Sequence, residues 1–106
     1  MASFFRRAES KYIINDKIGA IADYDHTIQL DQKFALAYRK RGGAKADLGD
    51  LIGAIADFDR AIELDPKDDL AFCDRGNTKV DLENLTGAII DFDSAIEFDP
   101  KNAFAF

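Results

Sequence analysis

Hydrophobic residues recur along most of the chain with the period of an amphipathic helix. The clearest stripe occupies positions i, i+4, i+7 and i+11 and consists of Leu51, Ile55, Phe58 and Ile62. No segment alternates hydrophobic and polar residues with a period of two, so we predict no β-strand. The pattern predicts an all-α chain with six helices, at residues 2–14, 17–30, 36–48, 51–64, 69–82 and 85–98.

Polar and proline residues mark the ends of these predicted helices. Asp50 and Asn84 each precede a hydrophobic stripe, and both residue types favour the N-cap because their side chains accept hydrogen bonds from free backbone amides. Pro66 and Pro100 follow predicted helix ends, where a residue without an amide hydrogen stops a helix. The predicted helices are therefore separate elements joined by turns.

A 34-residue period relates the helices to one another. The strings AIADYD, AIADFD and AIIDFD begin at Ala20, Ala54 and Ala88, and ten positions are identical in all three copies. A fixed period of this size is typical of stacked repeats. We predict a single domain of three helix-turn-helix units, at residues 1–34, 35–68 and 69–102, with residues 103–106 beginning a truncated further helix.

Each unit resembles the tetratricopeptide repeat, in which an aromatic residue and a glycine precede an Ala-aromatic-Ala pattern. In the middle copy these residues are Tyr38, Gly42, Ala54, Phe58, Ala61 and Pro66, and in the third they are Phe72, Gly76, Ala88, Phe92, Ala95 and Pro100. The first copy is the most divergent, with Phe4, Ala8, Ala20, Tyr24, Thr27 and Gln32. The resemblance implies a right-handed α-solenoid whose first helices line a concave groove, with the C-terminal capping helix absent or truncated.

Each second helix also carries an Asp-x-Asp pair of the kind that can hold a metal ion. On a helix, residues i and i+2 point to opposite sides, so Asp57 and Asp59 cannot share one cation. We predict no metal site, and expect one aspartate of each pair on a solvated face. The other aspartate repeats in step with an arginine, which predicts ion pairs between Arg7 and Asp23, Arg41 and Asp57, and Arg75 and Asp91.

Positions that differ between the copies are the candidates for binding a partner, since positions that build the fold recur in every copy. The resemblance implies that the groove is formed by Phe5, Glu9, Tyr12, Ile13, Leu36, Arg39, Gly43, Ala46, Asp47, Leu70, Cys73, Asn77, Val80 and Asp81. This mixture of apolar and polar groups suits an extended peptide or a partner helix. An alternative for Phe5 and Tyr12 is that they close the N-terminal end of the stack. We predict a non-catalytic protein-interaction scaffold.

The charge distribution narrows the kind of partner. A net charge of −6 disfavours nucleic acid. The predicted first helices nevertheless hold nine basic and five acidic residues, so we expect a groove that is mildly positive in its first two units and attracts an acidic peptide. Some tetratricopeptide proteins clamp the C-terminal carboxylate of a chaperone through Lys, Asn and Arg side chains. That clamp is not present here, because the matching positions carry Phe5, Glu9, Lys40, Leu70 and Asp74.

The sequence offers little for catalysis. His26 is the single histidine, and Cys73, the single cysteine, has no base at hand and cannot form an internal disulfide. There is no phosphate-binding glycine motif, no CxxC pair and no apolar run that would span a bilayer. We expect no enzymatic activity, no cofactor, no membrane partner and a cytoplasmic location.

A second hypothesis is a structural module that assembles with itself. A repeat stack exposes its last helix unless another element covers it. The predicted self-association edge consists of Ile89, Ile96, Phe98, Phe104 and Phe106. Such a homo-oligomer would form through either a closed twofold contact or end-to-end stacking.

Overall fold

The computed structural model describes the backbone of residues 2–13 and 16–99 and the side chains of residues 4–9 and 16–99. It contains α1 (Ala2–Ile13), α2 (Lys17–Leu30), α3 (Ala35–Asp47), α4 (Leu51–Leu64), α5 (Asp69–Asp81) and α6 (Leu85–Phe98). There is no strand in these ranges, which confirms the all-α prediction, and every predicted helix end lies within one residue of the observed one. The predicted start of a further helix at residues 103–106 lies outside the described residues.

The helices form a solenoid because each packs mainly against its neighbours in the sequence. Contacts run from α1 to α2, α2 to α3 and so on to α6, and α3 also touches α5. Small residues occupy the closest approaches: Ala20, Ala54 and Ala88 are at most 2% exposed. The aromatic residues Tyr24 and Phe58 fill the spaces between helices and are each 1% exposed. None of the helices in the described ranges is both long and apolar enough to cross a membrane.

Side-chain caps begin the second helix of each unit, as predicted for Asp50 and Asn84. The Asp50 carboxylate accepts a hydrogen bond from the Gly53 amide at 3.0 Å. A Cβ on Gly53 would collide with that carboxylate, which explains why this position is glycine in every copy. The equivalent caps join Asp16 to Gly19 and Asn84 to Gly87.

The turns between the paired helices of the second and third units each contain a residue in the left-handed backbone conformation. Gly49 has φ of +88°, and Glu83, which lies 34 residues later, has φ of 62°. Glycine adopts this conformation without penalty, whereas a side chain with a Cβ is strained there. The third unit therefore keeps a strained residue where the second has glycine.

We expect the Glu83→Gly variant to be more stable than the wild type. Relief of the left-handed strain should outweigh the greater freedom of glycine in the unfolded chain, for a net gain of roughly 0.5–1 kcal/mol in the free energy of unfolding. Urea denaturation followed by circular dichroism measures the change, with Gly49→Ala as the opposite substitution. Equal or lower stability of the Glu83→Gly variant would contradict the strain argument.

Ion pairs join the two helices of each unit, as predicted. The Nη2 atoms of the three arginines lie 2.7–2.8 Å from carboxylate oxygens in the pairs Arg7 to Asp23, Arg41 to Asp57 and Arg75 to Asp91. Each arginine also donates from Nε to the second oxygen of the same carboxylate. These bidentate contacts fix the angle between the paired helices.

In the first two units, the second aspartate of the Asp-x-Asp pair makes an ion pair with the next unit, which the sequence analysis did not predict. Arg41 Nη1 lies 2.7 Å from Asp25 of the preceding unit, and Arg75 Nη1 lies 2.9 Å from Asp59. Both aspartates remain about half-exposed, at 48% and 52%. We call Arg7, Arg41 and Arg75, together with the aspartates with which they pair, the arginine ladder.

Candidate functional site

One cavity of about 440 Å³ opens between the first helices of the three units. Its walls come from α1, α3 and α5, while α2 and α4 each contribute one aromatic ring. It is lined by Glu9, Tyr24, Arg39, Lys40, Gly43, Ala46, Asp47, Phe58, Asp74, Asn77, Thr78 and Asp81. The cavity therefore occupies the side of the stack on which the resemblance places a binding groove.

The structure brings half of the predicted groove residues together around this cavity. The predicted residues that line it are Glu9, Arg39, Gly43, Ala46, Asp47, Asn77 and Asp81. Leu36 is half-buried, and Leu70 and Val80 are 46% and 42% exposed, but none of the three lines the cavity. The side chains of Tyr12 and Ile13 lie outside the described residues.

Two predicted groove residues belong to the packing of the stack instead. The Phe5 ring stacks on Phe34 at 5.0 Å and lies 5.8 Å from the ring of Tyr24, so it packs against α2 and against the residue that precedes α3. Cys73 is only 6% exposed and is absent from the cavity lining. Burial and then the charge of Asp74 raise the pKa of the Cys73 thiol, which makes it a poor nucleophile.

The sequence analysis missed five lining residues. They are Tyr24, Lys40, Phe58, Asp74 and Thr78. Tyr24 and Phe58 occupy the aromatic position that recurs in every unit. The sequence analysis assigned that position to the fold and therefore did not consider it for the cavity. The Tyr24 hydroxyl donates a hydrogen bond of 2.8 Å to Glu9 Oε1, which fixes one carboxylate at the rim.

The cavity is more acidic than the first helices as a whole. Its lining holds four carboxylates and two cations. Both cations are already in ion pairs: Lys40 Nζ lies 3.7 Å from Glu9, and Arg39 Nε lies 3.2 Å from Asp68 without the geometry of a hydrogen bond. The expectation of a mildly positive groove is therefore wrong at the cavity, because the excess basic residues of these helices point to other surfaces or are paired.

Asp74 makes the charge of the cavity sensitive to pH. Burial raises the pKa of Asp74 to about 6, against the opposing attraction of Arg39. Arg39 Nη1 is 3.8 Å away, which is long for a direct ion pair. The carboxyl is thus largely neutral below pH 6, and the cavity gains a negative charge as the pH rises above it.

Gly43 leaves open space in the cavity wall. A Cβ built on Gly43 meets no atom within 4 Å, although the residue lies in the middle of α3. Glycine lowers helix stability by about 1 kcal/mol relative to alanine, so packing within the stack does not account for it. A ligand side chain has room at this point.

A second exposed surface lies on α6, where the self-association edge was predicted. Ile89 is 60% exposed and Phe98 is 38% exposed, whereas Ile96 is half-buried. The Phe98 ring stacks on Phe72 at 5.7 Å, so part of this edge is covered by its own unit. Phe104 and Phe106 lie outside the described residues.

Comparisons with known proteins agree on the fold. The family model for the tetratricopeptide repeat matches residues 35–68. The Arabidopsis OM64 TPR domain superposes with a TM-score of 0.95 at 25% identity, over 98% of this chain and 86% of that one. The second TPR of Spaghetti (RPAP3) bound to the HSP90 peptide SRMEEVD gives 0.90 at 26% identity, over 92% and 91%.

A third similar structure is the complex of the TPR2B domain of yeast Sti1 with a pHsp70 peptide. It gives a TM-score of 0.91 at 24% identity, over 94% of this chain and 80% of that one. No curated protein sequence matches the chain. The family model covers the middle unit, and the 34-residue period carries the same pattern into the units on either side. Residues 35–68 therefore form a tetratricopeptide repeat, and the described chain has the fold of tetratricopeptide repeat domains.

Proposed function

We propose that this protein is a non-catalytic scaffold that binds an extended peptide or a partner helix in the cavity between its first helices. The observation that carries the proposal is the cavity itself, whose first-helix walls are formed by residues that differ between the units. Stacked helical repeats present such concave surfaces to other proteins. The similar structures from Spaghetti and Sti1 are complexes with chaperone peptides, which supports a protein ligand.

The chemistry of the cavity favours a ligand with a basic side chain. Asp47, Asp74 and Asp81 line the cavity, together with Asn77 and the open space at Gly43. A lysine or arginine of the ligand would meet carboxylates there, while its aliphatic stem occupies the space above Gly43. An acidic ligand would instead meet like charges.

A peptide-display experiment with a cavity-filling variant tests the site. Peptides selected on the wild-type chain from a random library are measured by fluorescence polarisation against Gly43→Phe, whose ring would occupy the cavity. We expect their affinity to fall by at least about tenfold, as for loss of a central contact. Ala56→Phe is the matched control, because residue 56 is exposed on α4 and its equivalent, Ile90, already carries a large side chain.

Two outcomes would contradict the proposal. If Gly43→Phe binds the selected peptides as the wild type does, the ligand site lies elsewhere. If the selected peptides lack basic residues, or if the acidic peptide SRMEEVD binds as well as they do, the assignment of ligand charge is wrong. We expect SRMEEVD to show no measurable binding, because Phe5, Leu70 and Asp74 stand where a carboxylate clamp needs cations.

A further inference from the structure

The ion pair between neighbouring units occurs at two junctions inside the chain, so it shows which residues a further unit would use to bind there. At each junction, Nη1 of an arginine on a first helix reaches an aspartate on the preceding second helix. The distances are 2.7 Å from Arg41 to Asp25 and 2.9 Å from Arg75 to Asp59. The two junctions repeat the same donor and the same acceptor, so they define a template for the surfaces at the ends of the stack.

Within the described residues, α6 and α1 carry the unmatched halves of this template. Asp93 on α6 follows Asp25 and Asp59 in the ladder, is exposed, and has no partner among the described residues. At the other end, the Arg7 side chain is 56% exposed, against 18% for Arg41. Arg7 uses Nε and Nη2 for Asp23, as the other arginines do for their own unit, and its Nη1 is open. One end therefore lacks a cation and the other lacks an anion.

Apolar residues on α6 are more exposed than their equivalents on α4. Ile89 is 60% exposed, whereas Ile55, its equivalent in the second unit, is half-buried. Leu85 is 59% exposed, whereas the equivalent Leu51 is also half-buried. The face of α6 thus has the composition of a junction between units, and none of the helices in the described ranges covers it as α3 and α5 cover the other two junctions. Contiguous apolar surface of this kind marks an interaction site.

We propose that α6 of one copy binds α1 of a second copy end to end, with Asp93 pairing to Arg7 and Ile89 covered at the new junction. The occupant is a second copy because α1 carries the arginine of the ladder with its outward nitrogen open. The contact is heterologous, so it leaves a free end on each copy and allows short chains to grow. None of these residues lines the cavity, so the inference is independent of the proposed ligand site.

Sedimentation velocity over a series of concentrations tests the contact on the whole chain. We expect the wild type to associate and Asp93→Lys to weaken the association at least about tenfold, since it places like charges at the junction. The matched control is Asp65→Lys, which makes the same change in net charge on the exposed turn after α4. Ile89→Asp should act as Asp93→Lys does, while Ile52→Asp, at an isoleucine 72% exposed, should leave association unchanged.

Mixing two blocked chains tests the direction of the contact. Asp93→Lys blocks the α6 end, and Arg7→Glu blocks the α1 end; circular dichroism confirms that each variant is folded. Each variant alone places like charges at its junctions and should remain a monomer. An equimolar mixture should associate again into alternating chains, because both kinds of junction between unlike copies then join opposite charges. If Arg7→Glu fails to fold, the variants of Asp93 and Ile89 decide alone. A wild type that remains a monomer throughout, or an oligomer that Asp93→Lys leaves intact, overturns the proposal.

Discussion

Replacing Asp57 with alanine should lower the free energy of unfolding by about 3 kcal/mol, the usual cost of removing one partner from a buried ion pair. The Asp57 side chain is 6% exposed and accepts hydrogen bonds from Arg41 Nε and Nη2 at 2.9 and 2.7 Å. Lys45 Nζ lies 3.2 Å from the same carboxylate. Without Asp57, two neighbouring cations with 18% and 23% exposed side chains would lose their shared anion.

The pKa of Arg41 also depends on its ion pair with Asp57. Hydrogen bonds from Arg41 to Asp57 raise the pKa of the guanidinium, although burial acts in the opposite direction. The group therefore remains charged at every working pH, and it cannot relieve the loss of its partner by releasing a proton. Repulsion between Arg41 and Lys45 would add to the cost of the uncompensated charge.

Asp59→Ala is the matched control for Asp57→Ala, because the two residues belong to one Asp-x-Asp pair. Asp59 is 52% exposed and makes one ion pair, at 2.9 Å to Arg75. We expect its loss to cost less than about 1 kcal/mol. Urea denaturation of both variants, monitored by circular dichroism, measures the difference. Equal effects of the two substitutions would show that burial does not separate their roles.

The Gly42→Ala variant should be destabilised although alanine is the better helix former. A Cβ on Gly42 would lie 2.8 Å from Cε1 of Phe58 and 3.1 Å from the backbone oxygen of Ala54. Phe58 is 1% exposed, and its ring is packed between helices. Overpacking of this kind costs roughly 1–3 kcal/mol, which exceeds the gain in helix propensity.

Gly43→Ala provides the comparison at the next position of α3. Its Cβ meets no atom within 4 Å, so the gain in helix propensity of up to about 1 kcal/mol should appear in full. Thermal unfolding reports both variants, with a shift of roughly 4–8 °C in Tm for each kcal/mol. If Gly42→Ala unfolds at the same temperature as Gly43→Ala, the close contact with Phe58 does not constrain the packing.

The helices and their ends could be predicted because their signals are local. A cap such as Asp50 acts on an amide three residues away, and a stripe such as Leu51 to Ile62 lies on one helix. The 34-residue period added a link between paired helices, since Arg41 and Asp57 recur together in every copy. The ion pair within each unit followed from that recurrence, and the structure confirms it.

The contacts between units could not be predicted from the sequence in this way. The sequence analysis assigned Asp59 to a solvated face, but its second role depends on how far Arg75 of the next unit reaches across the junction. Phe5 and Cys73 occupy variable positions, yet the packing of the units places one against Phe34 and buries the other. Variation between copies therefore identified candidate residues without showing which of them face one another.

By itself the sequence determined an all-α stack of three equivalent helix pairs, because helix periodicity, caps and the repeat are properties of short segments and of their spacing. Only the tertiary structure decided which side chains share the cavity, that its lining is acidic, and that Arg41 and Arg75 bridge two units each. The reason is that these contacts depend on the angle between successive units. That angle results from the packing of many residues at once and is not encoded in the repeat length.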